Sequence, residues 1–570
     1  MSDQFQFESS GISQMTDEPY RSKQWNYCND QNQGNYASNQ VIFDLSSFYN
    51  QNKFIAPSEM FLVVPVVSVL STEDAAGLQN KQNDWSLGYK SGYYNIISSM
   101  QIDYNNKTVQ QLTPNLNYYV SFKMNSTMSK SSVDTIGSAI GVYPDNPTSW
   151  SYTDSTIGAA GVSTAGNGVR NNGITLAPVN TDQLYSNVRS GGNDGAFKRR
   201  LSTSFAVHAQ NGATLINSAQ QPNSEFMNNT QKGGHNYQAY YTTMVIRLSD
   251  VSDFFASMPL TKGFYARLTL NLNLGSLVVN RTGGGADEAH NRLSLSGSNI
   301  NFPNGTCPLM LQPSTTAQYA DGVNQIVCGI YVSKVSSSLG TVNQNTLNVS
   351  AHTLNSCRIY APSIDLQPSR ALSYIQENRS KYIEWDDVYA TRVSVGETQT
   401  FNYNITNSLA GIHSIVVIPF IASTEHGLMD GVDISPFSPA VSPFATEPAT
   451  TSPLLSISQF NVQLAGENVL ANLLNYTFEE FLEQLAPSHA INGGHSLGLS
   501  SGLIDLIGFQ NIYRYYYVDL SRRAKDDIGA KGITIMGKND NLVAMDLFCF
   551  VIHKKSASLD VETGILEMRA

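Results

Sequence analysis

The residues best able to do acid–base work lie in "YIEWDDVY", where Glu384, Asp386 and Asp387 fall within four positions. Two carboxylates flanking a glycosidic bond hydrolyse it, one protonating the leaving oxygen while the other acts from the opposite side of the sugar. Adjacency in sequence does not fix separation in space, and exposed carboxylates far outnumber catalytic ones, so the segment reads first as a solvated strand edge. Other chemistries find less. The nine histidines never fall in HExxH, HxH or HxxxH spacing, which would put two imidazoles on one metal. The glycine-rich "GAAGVSTAGNG" lacks the lysine of a phosphate-binding loop. Five cysteines (Cys28, Cys307, Cys328, Cys357, Cys549) are an odd number at scattered spacings and give neither a disulfide framework nor a zinc pair. Cys328, Cys357 and Cys549 sit in apolar runs, where cysteine behaves as a small buried hydrophobe. The expectation is therefore no catalytic, cofactor-binding or metal-ligating residue, and no cofactor. Trp25, Trp85, Trp150 and Trp385 are too widely spaced for the sequence to show that they share a sugar-binding face.

The composition points to area rather than chemistry. In 570 residues the apolar share is 41% and the charged share 14%, with Gly, Asn, Ser, Thr and Tyr abundant, which suits strands and polar loops. The length allows roughly two to four domains. A net charge of −11 argues against a nucleic-acid surface, since phosphates require clustered Lys and Arg; the one basic run, Lys198-Arg199-Arg200, reads as a solvated loop. The opening residues lack a charged and then apolar leader, so no signal peptide is expected, and no long apolar stretch predicts a transmembrane helix. Sequons at Asn125, Asn280 and Asn404 are what an Asn-, Ser- and Thr-rich chain produces by chance.

The elements repeat. An alternating strand from Val41 ("VIFDLSSF") is followed by the apolar run "MFLVVPVVSVL", Met60 to Leu70, whose Pro65 lacks an amide donor and so predicts a sheet edge or a bulge. The same order returns as "TFNYNI" from Thr400 and "SIVVIPFIA" from Ser414, with Pro419 inside the run. "SDVSDFFASMP" predicts a short helix capped by Ser249 or Asp250 and stopped at Pro259; "NYTFEEFLEQLAP" has Thr477 and Glu480 at capping-box spacing and stops at Pro487. Each is followed by a loop and a strand-like stretch, so "NIYRYYYVDLSRR" (residues 511–523) is paired with Gly263 to Leu274. In that stretch Tyr513, Tyr515 and Tyr517 would line one face and Arg514, Tyr516 and Val518 the other, covering both. The expected organisation is an N-terminal arm over 1–35, a first sandwich over 36–367 with long loop insertions at about 124–240, and a second sandwich over 368–570.

Three stretches carry a family resemblance: "WNYCNDQNQGNYASNQVIFDL…FLVVPVVSVL", "CRIYAPSIDLQPSRALSYIQENRSKYIEWDDV" and "NYTFEEFLEQL…YRYYYVDLSRR". In order they resemble the major capsid proteins of polinton-like viruses and virophages, most tellingly in the tyrosine-rich stretch ending Asp-Leu-Ser-Arg-Arg, and least over 124–240. The resemblance implies an all-β double jelly roll, two jelly-roll sandwiches in tandem with a few short helices and long surface loops. It further implies a non-enzymatic homotrimer of pseudo-hexagonal outline tiling an icosahedral shell in the virion, with neighbouring capsomers and penton and minor or cement proteins as partners. The long loops would form outer towers. A membrane under the shell is left open, and no direct nucleic-acid grip is expected. The tyrosine stretch would then be an amphipathic wall, its second face against a neighbour. Two other readings stand beside this: a β-sandwich attachment or carbohydrate-binding virion protein, and a β-rich glycosidase using Glu384 or Asp386.

Overall fold

In the computed structural model, most of residues 20–143 and 226–569 are described, with four two-residue strands between 150 and 171; the longest stretches outside the description are 1–19, 172–225, 423–454 and 486–500. In chain order the first sandwich contains β1 (Tyr20–Asn29), β2 (Gln40–Asp44), β3 (Phe61–Asp74), β4 (Ile97–Tyr104), β5 (Lys107–Gln110), β6 (His235–Arg247), β7 (Ala266–Leu272), β8 (Gly275–Thr282), β9 (Val323–Val332) and β10 (Arg358–Leu366). After β5 come α1 (Leu116–Thr127) and α2 (Lys130–Ile140); after β6 come α3 (Leu248–Val251) and α4 (Asp253–Ser257); α5 (Pro368–Glu377) leads out of β10. The second sandwich contains β11 (Lys381–Val395), β12 (Thr400–Leu409), β13 (Ile412–Ile421), β14 (Ile457–Leu464), β15 (Glu467–Asn468), α6 (Phe478–Leu485), α7 (Leu506–Asn511), β16 (Tyr516–Asp519), β17 (Lys531–Asn539) and β18 (Met545–Leu559).

All of these strands pair antiparallel. The second sandwich faces a sheet of order β11-β18-β13-β16 with one of order β12-β17-β14-β15. Counted within the unit, the first, eighth, third and sixth strands face the second, seventh, fourth and fifth, which is the winding of a jelly roll. The first sandwich repeats it as β1-β10-β3-β6 against β2-β7-β4-β5, with β8 and β9 added beside β3. The chain is thus all-β, a double jelly roll. Period-two patterning drives it: in β7 Ala266, Leu268, Leu270 and Leu272 are buried while Arg267 is exposed. Each such Leu or Val removed from water contributes about 1.5–3 kcal/mol before entropy is counted.

Several expectations are corrected. Residues 20–29, placed in the polar arm, form β1 in register with β10. An edge strand half-exposed on both faces leaves no alternation to read; residues 1–19 lie outside the described residues. The insertion expected as loop over 124–240 begins helically: α2 is capped by Ser129, whose Oγ accepts from the Ser132 N–H at 3.1 Å, and ends on Gly141 at φ 71°. That insertion also closes on β6, which starts at His235. Pro65 lies neither at an edge nor at a bulge. On one side it opposes Thr243 of β6; on the other, β10 pairs with residues 61–63 and β9 takes over at 66, so the missing amide falls in the gap between partners. Pro419 pairs with Leu547 on one flank and lies beyond the end of β16, whose pairing stops at Val417.

The counterpart of the tyrosine stretch is not Gly263 to Leu274. β16 is the sixth strand of its unit and pairs with the third; β7 is the seventh and lies inside the other sheet. The true counterpart is β6, "HNYQAYYTTMVIR", in which Tyr240 and Tyr241 are fully buried. The helices do not correspond either: α3 and α4 follow the sixth strand, α6 the fifth. The single helix expected at 249–259 is broken at Ser252, whose hydroxyl donates to Gln110 Oε1 at 2.5 Å, and Asp250 does not cap but pairs with Arg247 at 2.8 Å.

Candidate assembly surfaces

The outer face of the β11-β18-β13-β16 sheet is covered by α1, a helix of the first unit. Tyr118 stacks on Phe420 at 5.0 Å and meets Phe548 edge-on at 5.1 Å, and Tyr119 lies 6.2 Å from Phe550. Phe122 reaches Tyr515 at 5.2 Å and Tyr517 at 5.5 Å. Backbones also touch: the Leu503 N–H donates to Asn125 O at 2.8 Å, and a Cβ on Gly502, at φ 64°, would stand 2.4 Å from the Ser126 carbonyl carbon. Farther along, the Lys262 N–H donates to Val561 O at 2.8 Å.

Tyrosine covers both faces of this edge, as its spacing predicts, but both covers come from within the chain. Tyr516 points inward, 4.9 Å from Phe460 and 5.2 Å from Tyr476, and its hydroxyl accepts from the Ile457 N–H at 2.9 Å. Tyr515 and Tyr517 point outward onto α1. Only Tyr516–Asp519 is strand; Tyr513 and Tyr515 precede it and are nonetheless buried. Arg522 and Arg523 lie outside the described residues.

Of the three candidate carboxylates, Glu384 and Asp387 are tied into ion pairs. Asp387 is buried, 2.5 Å from Lys555 Nζ and 3.7 Å from His553 Nε2. Lys555 Nζ also donates to Val109 O of β5 at 3.2 Å, and Thr113 Oγ1 donates to Val388 O at 2.9 Å, so the charges bridge the two units. Burial holds the His553 imidazole below its usual range; Asp387 pulls it back up and Lys555 presses it lower. Burial raises the Asp386 carboxyl, with Asp253 adding to the rise while His413, Lys554 and Lys123 oppose it. Glu384 is exposed, and a hydrogen bond from Lys554 Nζ at 2.5 Å keeps its carboxyl low. Glu384 and Asp387 are thus engaged by separate lysines, an arrangement for holding strands together.

The matching outer face of the first sandwich carries aromatics without a covering helix among the described residues. Trp25 and Tyr27 of β1 are 50% and 53% exposed. Trp25 lies 5.3 Å from Phe61, which stacks on Tyr360 at 5.1 Å; Tyr360 lies 5.7 Å from Tyr27. Above the two exposed rings sit cations, Lys23 at 6.0 Å from Trp25 and Arg358 at 4.8 Å from Tyr27. Of the other tryptophans, Trp385 is buried against Phe254 at 5.3 Å, while Trp85 and Trp150 each open a short strand.

All five cysteines are free, four of them buried and Cys28 half-buried; burial pushes the Cys307 thiol up to about 12. Among the described residues no His, Cys, Asp or Glu cluster could hold a metal, and no helix is long and apolar enough to cross a membrane. Lys198-Arg199-Arg200 and the glycine-rich run lie essentially outside the described residues. Sequence reasoning missed α1, because "LNYYVSFKMNST" is buried on nearly all sides and shows no amphipathic stripe. It also missed the Phe61–Tyr360 pair, whose members are about three hundred positions apart.

No family model matches the chain, and no curated relative does. Among solved structures it is similar to the 3.5 Å cryo-EM structure of the Sputnik virophage, with a TM-score of 0.48 and 10% identity over 97% of this chain and 89% of that one. The mavirus major capsid protein gives 0.42 and 8%, over 96% and 90%. The Faustovirus major capsid protein gives 0.41 and 10%, over 97% and 92%.

Proposed function

We propose that this chain is the major capsid protein of an icosahedral virus, three copies forming a pseudo-hexagonal capsomer. The observation that carries this reading is the duplication itself: two jelly rolls of identical winding, joined by α5 and sealed by α1, make one chain present two similar walls. Three such chains around an axis present six, and so fill hexagonal positions of a closed shell. The same reading divides the chain between Leu366 and Lys381, leaves contact with penton and cement components to the outward loops and edges, and puts the protein in the virion. An acidic chain leaves the genome to other components.

The test is the native mass of the purified chain followed by negative-stain images. A three-chain particle of hexagonal outline is expected. A monomer that binds glycans would move the protein to the attachment class and overturn the capsomer.

A further inference from the structure

We propose that the outer face of the first sandwich, built on Trp25, Tyr27, Phe61 and Tyr360, is the seat of a second copy of this chain, which covers it with α6 and α7 of its second sandwich. The inference rests on the capsomer reading and names its contact. The β11-β18-β13-β16 face is closed by α1, the helix that follows the fifth strand of the first sandwich. The equivalent face, β1-β10-β3-β6, then keeps an open part at β1 and β10, since Val67, Val69, Ala239 and Tyr241 on its β3 and β6 are already buried with Val335 of the same chain; the equivalent helix is α6, which follows the fifth strand of the second sandwich. Each chain has one of each. Joining them between copies makes a head-to-tail contact, which closes into a ring when the rotation per copy divides the circle.

The side chains are suited to each other. α6, "FEEFLEQL", carries Glu479 and Glu483, and α7 exposes Leu506 and Ile507 at 43% and 50%. Opposite them stand the cations Lys23 and Arg358 over exposed aromatic rings. The Nε of Arg358 is buried with no hydrogen-bond partner among the described residues, a costly state that an incoming carboxylate relieves. Exposed Trp and Tyr beside a half-buried Arg are also the residue types most often found at the energetic centre of an interface.

The experiment measures assembly by light scattering across a dilution series for the wild type, Trp25→Asp, Tyr27→Asp and the control Leu542→Asp, whose side chain is 82% exposed on the other sandwich. Either aspartate on the face should raise the midpoint concentration for assembly by about thirtyfold or more, and the control should not. Carbodiimide treatment of an isotopically mixed wild-type sample should link Lys23 of one copy to α6 of another; this readout stands even if a variant fails to fold. A wild-type trimer that survives both face variants and yields no such link would overturn the face assignment and leave the capsomer intact. A wild type that stays monomeric at every concentration would overturn both.

Discussion

The outer faces of the two sandwiches are built on the same strand order and both are aromatic, yet one is sealed under α1 while the other, buried at Val67, Val69, Ala239 and Tyr241, keeps an open patch at Trp25 and Tyr27. On the second, Phe420, Phe548, Phe550, Tyr515 and Tyr517 meet rings of α1. On the first, the two exposed rings lie under cations. Of the rings meeting α1, Phe548 has a cation above it, Arg392 at 5.6 Å. Aromatic content therefore does not separate a sealed face from an open one. What separates them is the polar group set over the rings, because a guanidinium or ammonium stays over a ring where water can still reach it.

The sharpest way to break the comparison is to unseal the covered face. Phe122→Ala removes a ring held between Tyr515 and Tyr517 and should cost roughly 3–5 kcal/mol in denaturant unfolding. A cost below about 1 kcal/mol would mean that the seam is not a core. Next comes its ion pair: Lys555→Met leaves the buried Asp387 with the Val388 N–H and His553 as partners but without its lysine, for about 2–3 kcal/mol once the partial exposure of Lys555 is discounted.

The same seam sets a pH dependence. The folded-state pKa of His553 is depressed by burial, so below the unfolded value of about 6.5 the unfolded chain takes up the proton first and stability falls with falling pH. Asp386 acts in the opposite sense. Its raised folded value means that the folded chain binds protons first as pH falls toward the unfolded value of about 3.9, which adds stability. Urea midpoints of the wild type should therefore drop between pH 7 and pH 5, and His553→Gln should shrink that drop; an unchanged profile would remove His553 from the account.

Tyr516→Phe probes the inward side of the tyrosine strand. It keeps the ring against Phe460 and Tyr476 but leaves the Ile457 N–H unpaired, for about 1–2 kcal/mol. Trimer formation should be unaffected, since this side chain faces its own core; an assembly defect in a stably folded Tyr516→Phe chain would contradict that placement.

Much of the fold was legible because it is written locally. Val41 to Leu45 followed by Met60 to Leu70, and Thr400 to Ile405 followed by Ser414 to Ala422, are indeed the second and third strands of their units. The capping box at α6 also forms, the Thr477 N–H donating to Glu480 Oε2 at 3.1 Å and the Glu480 N–H to Thr477 Oγ1 at 3.4 Å. What failed was whatever depends on distant pairing. Gly263 to Leu274 and the tyrosine stretch each follow a helix and a proline, but their sheet partners differ, and only the pairing register distinguishes a sixth strand from a seventh. The burial of Tyr515 and Tyr517 was likewise legible from composition, whereas the identity of their cover was not: nothing local links them to Phe122, nearly four hundred residues upstream.

The smallest expected effect is the one that sharpens the contrast most. In the monomer, Trp25→Ala on the open face should cost less than about 1 kcal/mol, because half of the ring already faces water and the neighbouring Phe61–Tyr360 stack remains. Phe122→Ala, the same kind of truncation on the sealed face, should cost several times as much. Measured at concentrations below assembly, this ratio reports only what each chain seals for itself. Near unity, it would mean that the two faces are equally sealed within one chain and that the first has no vacancy for a neighbour. A large ratio that collapses as concentration rises would mean that a second copy supplies on the first face what α1 supplies on the second.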